Sequence, residues 1–317
     1  MPVRVDGLIL DRRIVARTRS RGASRARARP TRGASLQSAS VASNAHGTVI
    51  IAVGDEVLGG FTLDTNSHWL AGRVREAGYP VQRIEVVADR SDAIVDAIHR
   101  AITEPRADRV VVCGGLGPTP DDRTLEAVAE ALDRPLQVHP DALAHVTALM
   151  ERMHAAGWVP TSEISEANRK MTLAPHGAGV LANRRGMASG IVVPLPDPDR
   201  LGASPVDADL VDPGEGRWLA VLPGVPRELQ VLVDEELLPR HFTGGDAETV
   251  VELAYPFAIE AEFVEPMRVL ERDFPDVAVG SYPQTEARRL VIRIKGVDPD
   301  RVAAAAAVVR EMRPAGD

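Results

Sequence analysis

The sequence predicts an α/β fold: a three-layer, mostly parallel sheet with helices on both faces, followed by a small C-terminal α+β unit. Three observations predict it. Continuous apolar runs such as Val49-Ile50-Ile51-Ala52-Val53 and Val110-Val111-Val112-Cys113 suit strands buried on both faces. Segments with helical apolar spacing separate those runs. Glycine-rich loops follow the strand ends, and in a parallel sheet with right-handed crossovers those ends form the ligand edge.

The elements follow in order. Residues 48–53 form the first strand, and after a polar loop Asn66 is placed to cap a helix carrying Leu70, Val74 and Ala77 before Gly78. Residues 81–87 are the next strand. Ser91 opens a helix with Ile94, Ile98 and Ile102 in one stripe, and 110–113 is a third strand. Leu125, Val128, Ala129 and Leu132 mark another helix, two more fall within 140–170, and strands are expected at 191–193 and 218–222. Residues 194–216 hold five prolines, three glycines and six acidic residues, the composition of a surface insertion. A helix at 226–236 precedes Gly244-Gly245, and the remainder reads strand, helix, strand, strand, helix, ending with 302–312. The domains are therefore an arginine-rich tail (1–46), the α/β body (47–240) and the appendage (246–317).

Composition narrows the function classes. With 317 residues and 44% hydrophobic content the chain can bury a full core, and no apolar run reaches the roughly 20 residues that span a bilayer. One cysteine, Cys113, excludes an intrachain disulfide and reads as a buried strand residue; no secretory h-region is evident, so the cytoplasm is expected. Residues 1–46 carry ten arginines against Asp6 and Asp11, a charge of +8, which leaves −16 on the rest within a net charge of −8. The tail reads as solvated and disordered, and the acidic body argues against a nucleic-acid surface there.

Three loops carry the chemistry. Gly114-Gly115-Leu116-Gly117-Pro118-Thr119-Pro120-Asp121-Asp122 lies between a buried strand and an amphipathic helix, where glycines let N–H groups face an anion. It has no Gly-Lys-Ser/Thr and is not a P-loop. A tight turn with Asp122 as helix cap is the alternative. The first strand ends in Gly54-Asp55-Glu56-Val57-Leu58-Gly59-Gly60, followed by Asp64-Thr65-Asn66, at the same end of the sheet. Carboxylates Asp55, Glu56, Asp64, Asp121 and Asp122 beside a phosphate would repel it, and Mg²⁺ or another divalent cation held by Asp55, Asp64, Asp121 and Asp122 reconciles them. Two helix caps and a solvated loop explain the same acids one at a time. Leu222-Pro223-Gly224-Val225-Pro226-Arg227-Glu228 is the third loop: Pro223 and Gly224 can close over the ligand and Arg227 can meet an anion, or the loop serves as turn and cap.

On these loops, the Asp-Thr-Asn turn and Gly280-Ser281-Tyr282-Pro283, taken in order over about 48–312, the sequence resembles the competence/damage-inducible protein A (CinA) family, whose N-terminal part is a MoaB/Mog-type molybdopterin-binding domain. The resemblance implies a three-layer domain, commonly a homo-oligomer, whose Gly114, Gly115, Leu116, Gly117 and Thr119 receive a phosphorylated small molecule, a nucleotide or a pterin. It implies that Asp64 and Asp122 are the catalytic aspartates. It implies a metal-dependent pyrophosphatase acting on ADP-ribose or a related dinucleotide; molybdopterin binding or adenylyl transfer, and a non-enzymatic nucleotide-binding regulator, are the alternatives. The nicotinamide mononucleotide deamidase domain of longer members has no counterpart in this sequence.

Overall fold

The computed structural model describes residues 47–104, 106–195 and 216–313; the tail 1–46 and most of the 194–216 insertion lie outside the described residues. Strands β1 (Gly47–Val53), β2 (Val81–Val87) and β3 (Ala107–Cys113) alternate with α1 (Asp55–Leu58), α2 (Thr65–Glu76) and α3 (Ser91–Ile102). After α4 (Thr124–Ala131), β4 (Leu136–Val138), α5 (Pro140–Ala155), α6 (Glu166–Lys170), β5 (Leu173–Pro175) and β6 (Gly179–Leu181), the chain returns in β7 (Gly190–Leu195) and β8 (Arg217–Leu222). The six-stranded sheet runs β2-β1-β3-β8-β7-β6. Its first four strands are parallel, whereas β7 and β6 are antiparallel to their neighbours.

Strand alternation divides the core into two faces, giving three layers. Val49 and Ile51 of β1 with Val110 and Val112 of β3 meet Ile94 and Ile98 of α3 and Val128 of α4. On the other face Ile50, Val111 and Cys113 meet Leu70 and Val74 of α2. Ile50 and Ile51 are both fully buried, and burial of a side chain of that size stabilises by roughly 2 kcal/mol. The stripe Ile94, Ile98, Ile102 is buried as its spacing predicts.

Helix α7 (Pro226–Leu232) adds Leu229 and Leu232 to the second face. The single helix expected at 226–236 is interrupted: a π-turn occupies Val233–Leu237 before α8 (Leu238–His241), whose second residue is Pro239. That proline has no N–H to donate to the preceding turn, which fits the wider coil there. The short strands β4, β5 and β6 were not expected; three residues apiece carry too little pattern to read.

The appendage is β9 (Thr249–Pro256), α9 (Val264–Asp273), β10 (Ala278–Gln284), β11 (Arg289–Gly296) and α10 (Pro299–Met312), with a 3-10 turn at Glu260–Phe263. Its antiparallel sheet, β10-β11-β9, carries Leu253, Tyr255, Ile292 and Ile294 on the face that meets Leu270 of α9 and Val302 and Val309 of α10. The Tyr79 hydroxyl donates to Thr243 O at 2.6 Å, beside a close backbone approach of Gly78 and Gly245.

Candidate functional site

Because β2, β1, β3 and β8 are parallel, the segments after them share one edge, and hydrogen bonds stitch them together. Gly54 N donates to Val87 O at 3.0 Å and Gly114 N to Leu222 O at 3.0 Å. The Asn66 amide donates to Gly224 O at 2.7 Å, tying the start of α2 to the loop after β8. Asn66 is therefore a cross-link and not the cap of α2. Asp64 is the cap, its Oδ1 accepting from Ser67 N at 2.9 Å.

The glycine-rich loop is held from three sides. Gly114 has φ +107°, and a Cβ there would collide with Val53 O; Gly115 has φ +67°, and a Cβ there would collide with the Thr124 hydroxyl. That hydroxyl donates to Gly114 O at 2.9 Å, and Thr124 N donates to Gly115 O at 3.3 Å. Gly114 N–H is already engaged by β8, which corrects the expectation that it faces a ligand. The N–H groups of Gly115, Leu116 and Gly117 have no acceptor among the described residues. Consecutive free amides after a residue in the left-handed region make a concave anion-binding surface.

Asp122 does not cap α4: the N-cap is Arg123, with no side-chain cap bond. Asp122 Oδ2 instead accepts Thr119 N at 2.9 Å and the Thr119 hydroxyl, closing the second half of the loop. Thr119 N–H is thereby engaged too. The same hydroxyl holds the neighbouring Asp121 carboxyl below its usual range, helped by the charges of Lys170 and Arg123. Lys170, at the end of α6, donates to Thr119 O at 3.1 Å and pairs with Glu126 at 3.5 Å. Sequence reasoning did not single it out. What brings it here is the β4–β5 ladder, in which Leu173 pairs with Val138 and returns the end of α6 to the loop.

A recess of 590 Å³ opens beside the loop, bounded by Pro118, Thr119, Pro120, Arg169, Lys170 and Leu173. A smaller hollow under the loop is shared by Gly115, Leu116, Gly117, Asp122 and Lys170.

The carboxylates are distributed differently from the expected four-aspartate set. Among the described residues no three His, Cys, Asp or Glu side chains form a group able to hold a metal ion, so Asp55, Asp64, Asp121 and Asp122 are not a ready-made cage. Asp55 is matched with Asp89: Asp55 N donates to Asp89 Oδ2 at 2.7 Å and Asp89 N to Asp55 Oδ1 at 3.4 Å. Burial first, then the charges of Asp55, Glu56 and Asp121, push the Asp89 carboxyl above its ordinary value. Asp89 was missed because it reads as the lead into α3, although the strand-end rule that collected Asp55 and Asp121 covers it equally.

Arg227 is exposed, while Glu228 beside it accepts from Asn183 at 2.8 Å, which joins the β6–β7 loop to the start of α7. Tyr282 of the Gly280 to Pro283 motif lies elsewhere, in a recess of 740 Å³ between α2 and the small sheet.

Residues 49–242 match the family described as a probable molybdopterin binding domain. The chain belongs to that family. Residues 255–317 match the middle domain of FAD synthase. Protein PH0439 of Pyrococcus horikoshii is 36% identical over 191 residues, 60% of this chain and 67% of that protein. A CinA-like protein of Geobacter is 38% identical over 60% of this chain but only 39% of its own length. A CinA structure from Thermoplasma acidophilum is 30% identical and covers 61% of this chain and 96% of that one, with a TM-score of 0.48. The chain thus carries a molybdopterin-binding-type domain over which it is similar to CinA-like proteins, followed by a further C-terminal region. No helix among the described residues is long and apolar enough to cross a membrane.

Proposed function

We propose that this chain is a divalent-metal-dependent hydrolase of a nucleotide diphosphate linkage, with ADP-ribose or a related dinucleotide as substrate. The observation that carries the reading is the row of free N–H groups at Gly115, Leu116 and Gly117, set at the edge that also bears Asp55, Asp89 and Asp122. Such donors suit the non-bridging oxygens of a diphosphate and strengthen as charge develops on them. Gly224, whose carbonyl is fixed by Asn66, would bound the ligand from the β8 side, with Pro223 buried behind it.

Oxygen donors suit a hard cation of the Mg²⁺ kind, but with no group of three such side chains among the described residues the ligand and water would have to complete its shell. Burial is the first cause of the raised Asp89 carboxyl and the charges of Asp55, Glu56 and Asp121 add to it, a combination that a cation would offset; such ions are commonly held by one or two carboxylates completed by water and phosphate oxygens. Asp55 and Asp89 would be that pair, with Asp121 and Asp64 in support. The chemistry a bound cation supplies is polarisation of the phosphoryl group. Asp122, with one oxygen engaged by Thr119, lines the hollow it shares with Gly115 to Gly117, and its other oxygen would orient the attacking water. Asp64 keeps one oxygen beyond its cap bond, which would be its contribution to the site.

The test is incubation of the full chain with ADP-ribose, with and without Mg²⁺. Metal-dependent release of AMP is expected; no turnover with any of ADP-ribose, FAD or dinucleotide polyphosphates would overturn the reading. The family description favours a second reading, pterin binding or adenylyl transfer, which a co-purifying fluorescent pterin would support.

A further inference from the structure

The glycine-rich loop contains no basic residue from Gly114 to Asp122, yet it is flanked by the carboxylates of Asp121, Asp122 and Glu126. A phosphate drawn to the amides of Gly115 to Gly117 would meet those charges. Arg123 follows the loop directly and donates to Pro120 O at 3.0 Å, and Arg169 borders the recess beside it, but the cation that reaches the hollow under the amides comes from outside the motif. Lys170 lines both the hollow under the loop and the 590 Å³ recess beside it. Its side chain is 22% exposed, and its ammonium donates to Thr119 O at 3.1 Å and pairs with Glu126 at 3.5 Å. An ammonium has three donors, and the third has no acceptor among the described residues.

We propose that Lys170 is the phosphate-contacting cation of this site, doing from the end of α6 what the lysine of a P-loop does from within its own motif. The inference rests on the reading of Gly115 to Gly117 as an anion cradle. It identifies the ligand end that enters here as a phosphate or diphosphate, with the attached sugar and ring directed into the recess between Pro118, Pro120 and Leu173. The recess volume falls in the range of small-molecule sites, and its rim combines apolar Pro118, Pro120 and Leu173 with two cations, Arg169 and Lys170, against one carboxylate, Glu166. Lys170 also serves the loop itself, because its bond to Thr119 O steadies the turn that Asp122 closes.

The experiment uses inorganic pyrophosphate as probe, measured by calorimetry at two salt concentrations on the full chain and on Lys170→Met and Lys170→Arg. Lys170→Met should weaken binding by about tenfold or more and flatten its salt dependence, whereas Lys170→Arg should hold within about threefold. In the unmutated chain, pyrophosphate should protect Lys170 from acetylation as read by mass spectrometry, a measurement that requires no variant to fold. Binding unchanged in Lys170→Met, no protection of Lys170, or no pyrophosphate binding by the wild type would each overturn the inference. A loss of binding that keeps the wild-type salt dependence and is not rescued by arginine would also overturn it, because Lys170 would then be a loop clamp alone. Pyrophosphate bound through Lys170 without hydrolysis of ADP-ribose would end the hydrolase reading and leave this inference standing.

Discussion

Two recesses of this molecule differ in a way that volume does not reveal. The recess between α2 and the small sheet measures 740 Å³ and carries Trp69, Tyr282 and four cations; the one beside the glycine-rich loop measures 590 Å³. In the former, three of the four cations are matched by carboxylates, Arg75 being the exception among the described residues. Arg73 is bound by Glu76 and Asp234, Arg293 by Glu252 and Lys295 by Glu248, and the Arg293 guanidinium lies 4.4 Å from the centre of the Tyr282 ring. At the loop, by contrast, three amides and one ammonium donor stand without acceptors among the described residues. A ligand gains most where its polar atoms replace missing partners, and gains little where it must compete with existing ion pairs.

The contrast can be broken at its strongest point first. Gly115→Ala forces a Cβ into the Thr124 hydroxyl at a left-handed φ; the expected cost is about 2 kcal/mol or more, with loss of pyrophosphate binding, read by denaturant melts and calorimetry. A stable variant that binds normally would show that the loop is not held as described. Asp122→Asn keeps an acceptor for Thr119 but removes the charge. Turnover of ADP-ribose should fall about a hundredfold while the melting temperature moves by only a few degrees; near-wild-type turnover would return Asp122 to a structural role.

Glu252→Gln probes the other recess. It should change stability by no more than about 0.5 kcal/mol and leave turnover and pyrophosphate binding unaltered. An effect as large as that of Asp122→Asn would reverse the comparison. The smallest effect concerns Cys113, whose thiol burial pushes up to about 12 from an ordinary 9.0. Below pH 9 both folded and unfolded thiols are protonated; above it the unfolded chain ionises first, so stability should be lost as the pH rises beyond about 9. At pH 8 the folded chain should resist thiol reagents that label it readily in denaturant.

The architecture was legible because its signals are long and periodic: the β1 and β3 runs and the Ile94 stripe leave little choice of partner. The site was legible in its loops but not in its partners. Gly114 to Asp122 and the Asp55 loop stand out by composition, and the parallel sheet places them together. For Asp122 the sequence left a helix cap as the alternative to a metal or catalytic role, because an aspartate just before a helix usually is one; the Thr119 hydroxyl, three residues back, won it instead of the helix. Lys170 stood outside the sequence reading for a different reason. It lies more than fifty residues beyond the start of the loop, on a five-residue helix, and only the unexpected β4–β5 ladder carries it home.

The pairing of β3 with β8 has a consequence for synthesis. Arg109 lies against Trp218 and Cys113 against Leu222, so the centre of the sheet is closed by strands more than a hundred residues apart. During translation β1, β2 and β3 can emerge and associate, but β3 keeps an open edge until β8 has left the ribosome. At a rate of about 5–20 residues per second that wait lasts several seconds. The nascent chain is then most exposed to mispairing, and the edge it must protect is the one that later seats Gly114 against Leu222.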